Sequence, residues 1–240
     1  MSVLYTMPIR LSVFTILLLI NTIAWSSNNS SNNDSEHSAK PFSIANIFLE
    51  QNFTDGDVEV VIFAKGGDEG FREFKLIAPN GKVVYKFKAP KNNMNIGARE
   101  IVVESPEPTD LNLVLNAYPE GTYTFKGKTF SGERFYSTAA LIHDIPSPAT
   151  IIFPAAGDTI SRFQLAVMWE AVDGAQSYLV ELKNEVTEKS LEVEIPGDQT
   201  TFQAPEEWIV AGDEYQVSVF VTNAAGNKTA SELNFFISSE

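Results

Sequence analysis

Three segments between Phe163 and Val221 alternate apolar and polar residues with a period of two. That pattern restricts the region to sheet, with one face of each strand on a core and the other in water. The first sets Phe163, Leu165, Val167 and Trp169 against Gln164, Ala166 and Met168; the second sets Tyr178, Val180 and Leu182 against Leu179, Glu181 and Lys183. In the third, Tyr215, Val217, Val219 and Val221 share a face, with Phe220 and polar residues opposite. Short strands at this spacing, separated by turn residues, predict an antiparallel sandwich.

The order of landmarks is more specific. Trp169 ends an early strand, the turn Val172-Asp173-Gly174-Ala175 leads into Tyr178-Leu179-Val180-Glu181, and Ala211-Gly212-Asp213-Glu214-Tyr215 and the turn Ala225-Gly226-Asn227 follow. Together they resemble a fibronectin type III domain over about Pro148 to Ser238. The resemblance implies that Trp169 is a core residue and Tyr215 the tyrosine corner, both structural.

Upstream, strands are expected at Ile44–Asn52, Val58–Lys65, Phe71–Ala78, Lys82–Ala89, Ala98–Glu104, Thr122–Lys128 and Arg134–His143. Pro79-Asn80-Gly81 presets a hairpin turn between two of them. Thr109 as N-cap and Asp110 as first-turn acid, followed by Leu111, Val114 and Leu115, predict a short helix, although Leu111, Leu113 and Leu115 also fit a strand. Gly121-Thr122-Tyr123-Thr124-Phe125 resembles a strand start of immunoglobulin-like bacterial sandwiches. Asn52-Phe53-Thr54-Asp55-Gly56-Asp57, Pro119-Glu120-Gly121-Thr122-Tyr123 and His143-Asp144-Ile145-Pro146 together are similar to a family of secreted bacterial proteins with a C-terminal fibronectin type III domain, a resemblance that carries no activity with it. The expected fold is therefore all-β, with two antiparallel β-sandwich domains. The second is fibronectin type III-like; the first is immunoglobulin-like with one short helix.

Residues 1–26 read as a signal peptide: Arg10 precedes an uncharged run from Leu11 to Ile23, and Ala24-Trp25-Ser26 offers small residues for cleavage. The run would span only ~20 Å as a helix, against a ~30 Å hydrocarbon core. Residues 27–39 form a disordered Ser/Asn-rich tether, residues 40–145 the first sandwich and 146–240 the second, with Pro146-Ser147-Pro148 as a short, stiff joint. The expected localisation is secreted, periplasmic or cell-surface, with membrane contact only through the signal peptide during export. Asn28, Asn29, Asn33, Asn52 and Asn227 each begin an Asn-x-Ser/Thr triplet, relevant only in a host that glycosylates them.

The chain has a formal net charge of −14 and no cysteine. The first fact argues against nucleic acid as a partner; the second removes disulfides, thiolate metal sites and cysteine nucleophiles. Two histidines, His37 and His143, offer little for acid–base catalysis, since His143 and its neighbour Asp144 point to opposite faces if they lie on a strand. Neither Thr54-Asp55-Gly56-Asp57 nor Gly66-Gly67-Asp68-Glu69-Gly70 has the EF-hand pattern of calcium ligands. No enzyme activity, cofactor or metal is expected.

Charge distribution is the remaining signal. Residues 146–240 carry 4 basic and 15 acidic side chains, residues 40–145 carry 12 and 14, and within the latter Arg72, Lys75, Lys82, Lys86, Lys88 and Lys91 face only Glu73. By parity Lys82, Lys86 and Lys88 share a face with Val84. The candidate binding face is Lys75, Lys82, Lys86 and Lys88. It is read either as protection of an edge strand or as a dock for an acidic polymer or for the second domain in a salt-sensitive contact. The function expected is that of a non-enzymatic binding or adhesion module for an unidentified protein or polysaccharide. The alternatives are a carbohydrate-binding accessory protein, using Phe130, Phe135, Tyr136 or Trp208 as an aromatic platform, and a hydrolase with an unrecognised site.

Overall fold

The computed structural model describes residues 39–90 and 96–239. The signal peptide, nearly all of the tether, Lys91 and the triplets at Asn28, Asn29 and Asn33 lie outside the described residues.

In the first half, β1 (Ile44–Asn52), β2 (Asp57–Lys65) and β5 (Glu100–Glu104) form one layer in the order β1-β2-β5. The other layer holds β3 (Phe71–Ile77), β4 (Val83–Lys88), β6 (Gly121–Thr129) and β7 (Arg134–Leu141) in the order β4-β3-β6-β7. Alternate residues of both layers close on one core that includes Leu49, Val60, Ile62, Phe71, Phe74, Leu76, Tyr123 and Phe125. Five phenylalanines crowd its centre, with the Phe42 ring 5.1 Å from Phe71 and 5.7 Å from Phe135. A β-carbon on Gly127 would come within 2.7 Å of the Phe71 ring, so a residue without a side chain sits there in mid-strand.

The helix forms as α1 (Leu111–Ala117), but Asp110 rather than Thr109 is its N-cap, accepting from the Asn112 N–H at 3.0 Å. Val114 is the residue it buries, and Leu113 lies on the exposed side, which excludes the strand alternative. At Pro79-Asn80-Gly81 the hairpin forms as expected: Gly81 has φ 81° and the Asn80 side chain accepts from the Lys82 N–H at 3.0 Å.

The second half repeats this layout. β8 (Ile151–Phe153), β10 (Ala166–Trp169) and β13 (Thr201–Gln203) make the three-stranded layer in the order β13-β10-β8. Facing it, in the order β12-β11-β14-β15, are β11 (Ser177–Asn184), β12 (Lys189–Pro196), β14 (Glu214–Thr222) and β15 (Lys228–Ile237), with β9 (Thr159–Ile160) pairing in parallel against the end of β15. This 3 + 4 strand order is that of a fibronectin type III sandwich, and the expected landmarks occupy it. Trp169 is buried with its ring 5.2 Å from Tyr178, and Tyr215 is the corner, its hydroxyl accepting from the Val210 N–H at 2.8 Å and from Asn184 Nδ2 at 3.0 Å. Tyr123 makes the matching corner of the first half, donating to the Pro119 carbonyl at 3.0 Å. Phe163 is a correction to the sequence reading. Ser161 caps a short 3-10 turn at Arg162–Gln164, which breaks the alternation and leaves Phe163 56% exposed, so the strand starts at Ala166.

The halves are fused through their sheets as well as by the Pro146-Ser147-Pro148 joint. β1 pairs in parallel with β15, matching Glu50, Gln51 and Asn52 to Lys228, Thr229 and Ala230, so β12-β11-β14-β15-β1-β2-β5 is one continuous sheet. Asn227, fully buried, pins the junction: its Oδ1 accepts from Leu49 N–H at 2.8 Å, and its Nδ2 donates to the carbonyls of Ile142 and Asp144, each at 2.7 Å. Thr229 donates to the Pro146 carbonyl at 2.7 Å. The triplet at Asn227 is thus a structural latch, with its amide enclosed and occupied, rather than a modification site.

Candidate functional site

The four-stranded layer of the first half turns Phe74, Leu76, Tyr123 and Phe125 inward, so by alternation Lys75, Lys126 and their neighbours point outward. Cross-strand register then assembles what sequence order separates. Lys75 lies directly opposite Lys86 on β4 and Lys126 on β6, and Lys126 lies opposite Tyr136 on β7. The outward row is Lys86-Lys75-Lys126-Tyr136. Beside it runs Lys88-Glu73-Lys128-Arg134.

Adjacent strands are ~4.8 Å apart, so directly opposed like charges raise the energy of the sheet that carries them. Glu73 relieves little of this because it pairs with Arg72 at 3.0 Å; that guanidinium, with smaller help from Lys88 and Lys128, holds its carboxyl below the usual range. Lys126 also lies 5.6 Å from the Tyr136 ring centroid, a cation–π contact.

Of the expected face, Lys75, Lys86 and Lys88 are exposed on this lattice. Lys82 is exposed as well, but it precedes β4 in the hairpin turn, and a register irregularity at Leu76/Ile77 separates it from the parity of Lys86 and Lys88. Lys126, Lys128 and Arg134 were not singled out from sequence, and Tyr136 only as an aromatic candidate. Their alternation along β6 and β7 was visible, but the pairing of β3 with β6, some fifty residues apart in sequence, was not. The described contacts of the second half with the first run through β1 and the turn after it, the segment after β7, β15 and the turn before it, not through Lys75, Lys82, Lys86 or Lys88.

The other candidates have structural duties. The His143 ring is hydrogen-bonded with the Tyr118 carbonyl at 2.8 Å, its backbone N–H donates to Glu120, and the Asp144 carbonyl is held by Asn223 and Asn227. In the acidic turns, Asn52 Oδ1 accepts from the N–H groups of Thr54 and Asp55, and Glu69 accepts from the Ser131 N–H and hydroxyl. Among the described residues no group of three or more His, Cys, Asp or Glu side chains converges on a point that could hold a metal ion. Phe135 is in the first core, Phe130 is half-buried directly after β6, Trp208 packs 5.6 Å from Tyr215 in the second half, and Tyr136 lies on the cationic face, so the four aromatic candidates form no common platform.

No family model and no curated protein matches the chain. Similar solved structures include a two fibronectin type III domain segment from chicken tenascin, at 10% identity and a TM-score of 0.30, covering 81% of this chain and 97% of that one. The FN1–FN3 domains of chicken CNTN1 align at 14% identity and a TM-score of 0.31 over 83% of this chain and 65% of theirs. A tetra-tandem repeat from the extending region of a large adhesion protein aligns at 9% identity and a TM-score of 0.31 over 82% and 50%. The chain thus spans about two thirds and half of the latter two. At such scores the superpositions carry no argument. The strand order, the buried Trp169 and the Tyr215 corner are what make the second half a fibronectin type III-like sandwich.

Proposed function

We propose that the protein is a non-enzymatic binding or adhesion module working outside the cytoplasm, secreted or at the cell envelope, and that it engages an anionic partner through the outward face of β4-β3-β6-β7. One observation carries the reading: Lys75, Lys126 and Lys128 are on β3 and β6, strands with a neighbour on both sides. Lysines that discourage unwanted strand pairing belong on edges, and this accounts for Lys86 and Lys88 on β4 but not for the interior three. Opposed cations on interior strands cost stability without protecting an edge, which is the signature of a surface kept for charge recognition. Nothing in the aromatic positions favours the carbohydrate-platform reading, and nothing around His143 favours hydrolysis.

The test is affinity capillary electrophoresis with two generic polyanions, heparin and poly-glutamate. Binding should weaken steeply with salt. Lys75→Glu with Lys126→Glu should lower affinity at least ~10-fold, about 1.4 kcal/mol, at unchanged melting temperature. Lys82→Glu alone should change little. Equal retention of both probes by the doubly reversed protein would refute the assignment of the face.

A further inference from the structure

We infer that the anionic partner is a second copy of this chain, whose acidic outward face of β12-β11-β14-β15 docks on the cationic outward face of β4-β3-β6-β7. The inference rests on the cationic face being a binding surface. Both faces belong to the four-stranded layer of a 3 + 4 sandwich, and strand for strand they are equivalent. Where the first half has the row Lys86-Lys75-Lys126-Tyr136, the second has Glu192-Glu181-Ser218-Glu232. In the first hairpin a lysine faces a lysine across the strands; in the second a glutamate faces a glutamate.

Glu192 and Glu181 therefore oppose Lys86 and Lys75 in sign at the shared ~4.8 Å strand spacing, while Ser218 is buried and donates to Glu232. Glu194, opposite Leu179, extends the acidic set. Cations on that side are already engaged, Lys183 by Glu185 and Glu188 and Lys228 by Glu50. No ion pair joins Glu181, Glu192 or Glu194 to a cation among the described residues. Burial and the neighbouring Glu181 hold the Glu192 carboxyl above the usual range, a repulsion that a partner's lysines would relieve.

The contact cannot close within one chain. Parity carries the outward side of β1, marked by Glu50, onto the outward side of β15, marked by its partner Lys228, so the acidic face continues the outer surface of β1-β2-β5. That surface lies on the opposite side of the first core from the cationic face. Twist of roughly 20–25° per strand pair rotates the outward direction by about 80–100° over the four steps from β1 to β12, well short of the half-turn needed to bring the faces together. With their outward directions left about 80–100° apart, one face of a copy docks on the other face of the next, so the contact is heterologous and propagates into rings or open chains.

Sedimentation velocity at about 0.1 mM protein, in about 0.02 M and 0.5 M salt where the Debye length is roughly 20 Å and 4 Å, tests this. Wild type should show concentration-dependent species larger than the monomer at low salt and monomer at high salt. Lys75→Glu with Lys86→Glu and Lys126→Glu should remain monomeric in both, as should Glu181→Lys with Glu192→Lys. An equimolar mixture of these two reversed proteins should associate again, which a misfolded variant could not do. Monomeric wild type at low salt, or association that survives either reversal, overturns the inference. Monomeric wild type that still binds the polyanion probes through Lys75 and Lys126 overturns self-association alone and leaves the binding face in place.

Discussion

Asn227→Ala should separate two sandwiches that otherwise unfold together. The side chain is fully buried and uses every polar site it has, accepting from Leu49 on β1 and donating to Ile142 and Asp144 in the connection. Alanine leaves the Leu49 N–H and the Ile142 carbonyl without their partners. The Asp144 carbonyl keeps a donor in Asn223 Nδ2 at 2.7 Å. Two stranded backbone groups, one buried and one part-buried, at ~1–3 kcal/mol each give a loss of about 2–6 kcal/mol. With a urea dependence of roughly 2 kcal/mol per molar, the midpoint should fall by about 1–3 M. The intact latch should make both halves melt as one transition. Trp169 and Trp208 lie in the second half, so in a Trp25→Phe background fluorescence follows that half while far-UV circular dichroism follows both. Coincident curves are expected for the parent and split curves for Asn227→Ala. If the substituted protein keeps coincident curves and loses less than about 0.5 kcal/mol, the buried amide does not couple the sandwiches.

The two tyrosine corners make a graded comparison. Tyr215→Phe strands two donors, Val210 N–H and Asn184 Nδ2, and should cost about 2–3 kcal/mol, whereas Tyr123→Phe strands one carbonyl, that of Pro119, and should cost about 1 kcal/mol; equal losses in urea melts would contradict the hydrogen-bond count. Glu59 gives a pH dependence. It is buried directly opposite Glu50, and its carboxyl is pushed up to about 8, first by burial and then by Glu50, Glu104, Glu107 and Asp57. Because the folded chain holds this proton more tightly than the unfolded one, its contribution is fully present below the ordinary carboxyl range and is lost as pH rises towards about 8. Glu59→Gln should therefore flatten the fall in unfolding free energy between pH ~5 and ~8 and raise stability at the alkaline end, and an unchanged pH profile would show that Glu59 ionises normally.

Local pattern made the strands legible and long-range pairing made the site illegible. Alternation located β11 and β14 because each has one face on a core, strand-favouring residues between turns located β1 to β7, and Asn80-Gly81 announced its hairpin through backbone torsions available from two residues. Phe163 misled because one Ser161 cap outweighs alternation at a strand end. The full cationic face needed the β3–β6 pairing, a contact between strands separated by β4, β5 and α1. Parallel pairing of β1 with β15 joins residues nearly 180 positions apart and has no local signal at all. Asn227 shows the same limit: in sequence it is one member of an Asn-x-Thr triplet, and only the arrival of Leu49, Ile142 and Asp144 makes it a latch.

Fusing the sheets also governs where another chain can attach. A separate first sandwich would leave the outer edge of β1 open and a separate second one the outer edge of β15, each a row of unpaired backbone groups able to template further strands. Pairing β1 with β15 closes the C-terminal end of the β1 edge and the N-terminal end of the β15 edge at once, and β9 covers the far end of β15. The strands left at the margins of these layers are charged: Glu100 and Glu104 are exposed on β5, Lys86 and Lys88 on β4, and Lys189 and Glu194 on β12. The margin at β7 is bridged by Lys40, whose backbone bonds to Arg134 and Tyr136. Backbone-mediated growth is thereby discouraged at each of these places, while the outward faces carry an excess of cations on β3-β6, where Glu73 is the one acid of the two rows, and of anions on β12-β11, where Lys183 is tied to Glu185 and Glu188. The self-association proposed above would thus be steered from edge to face, where it would depend on salt and be reversed by it.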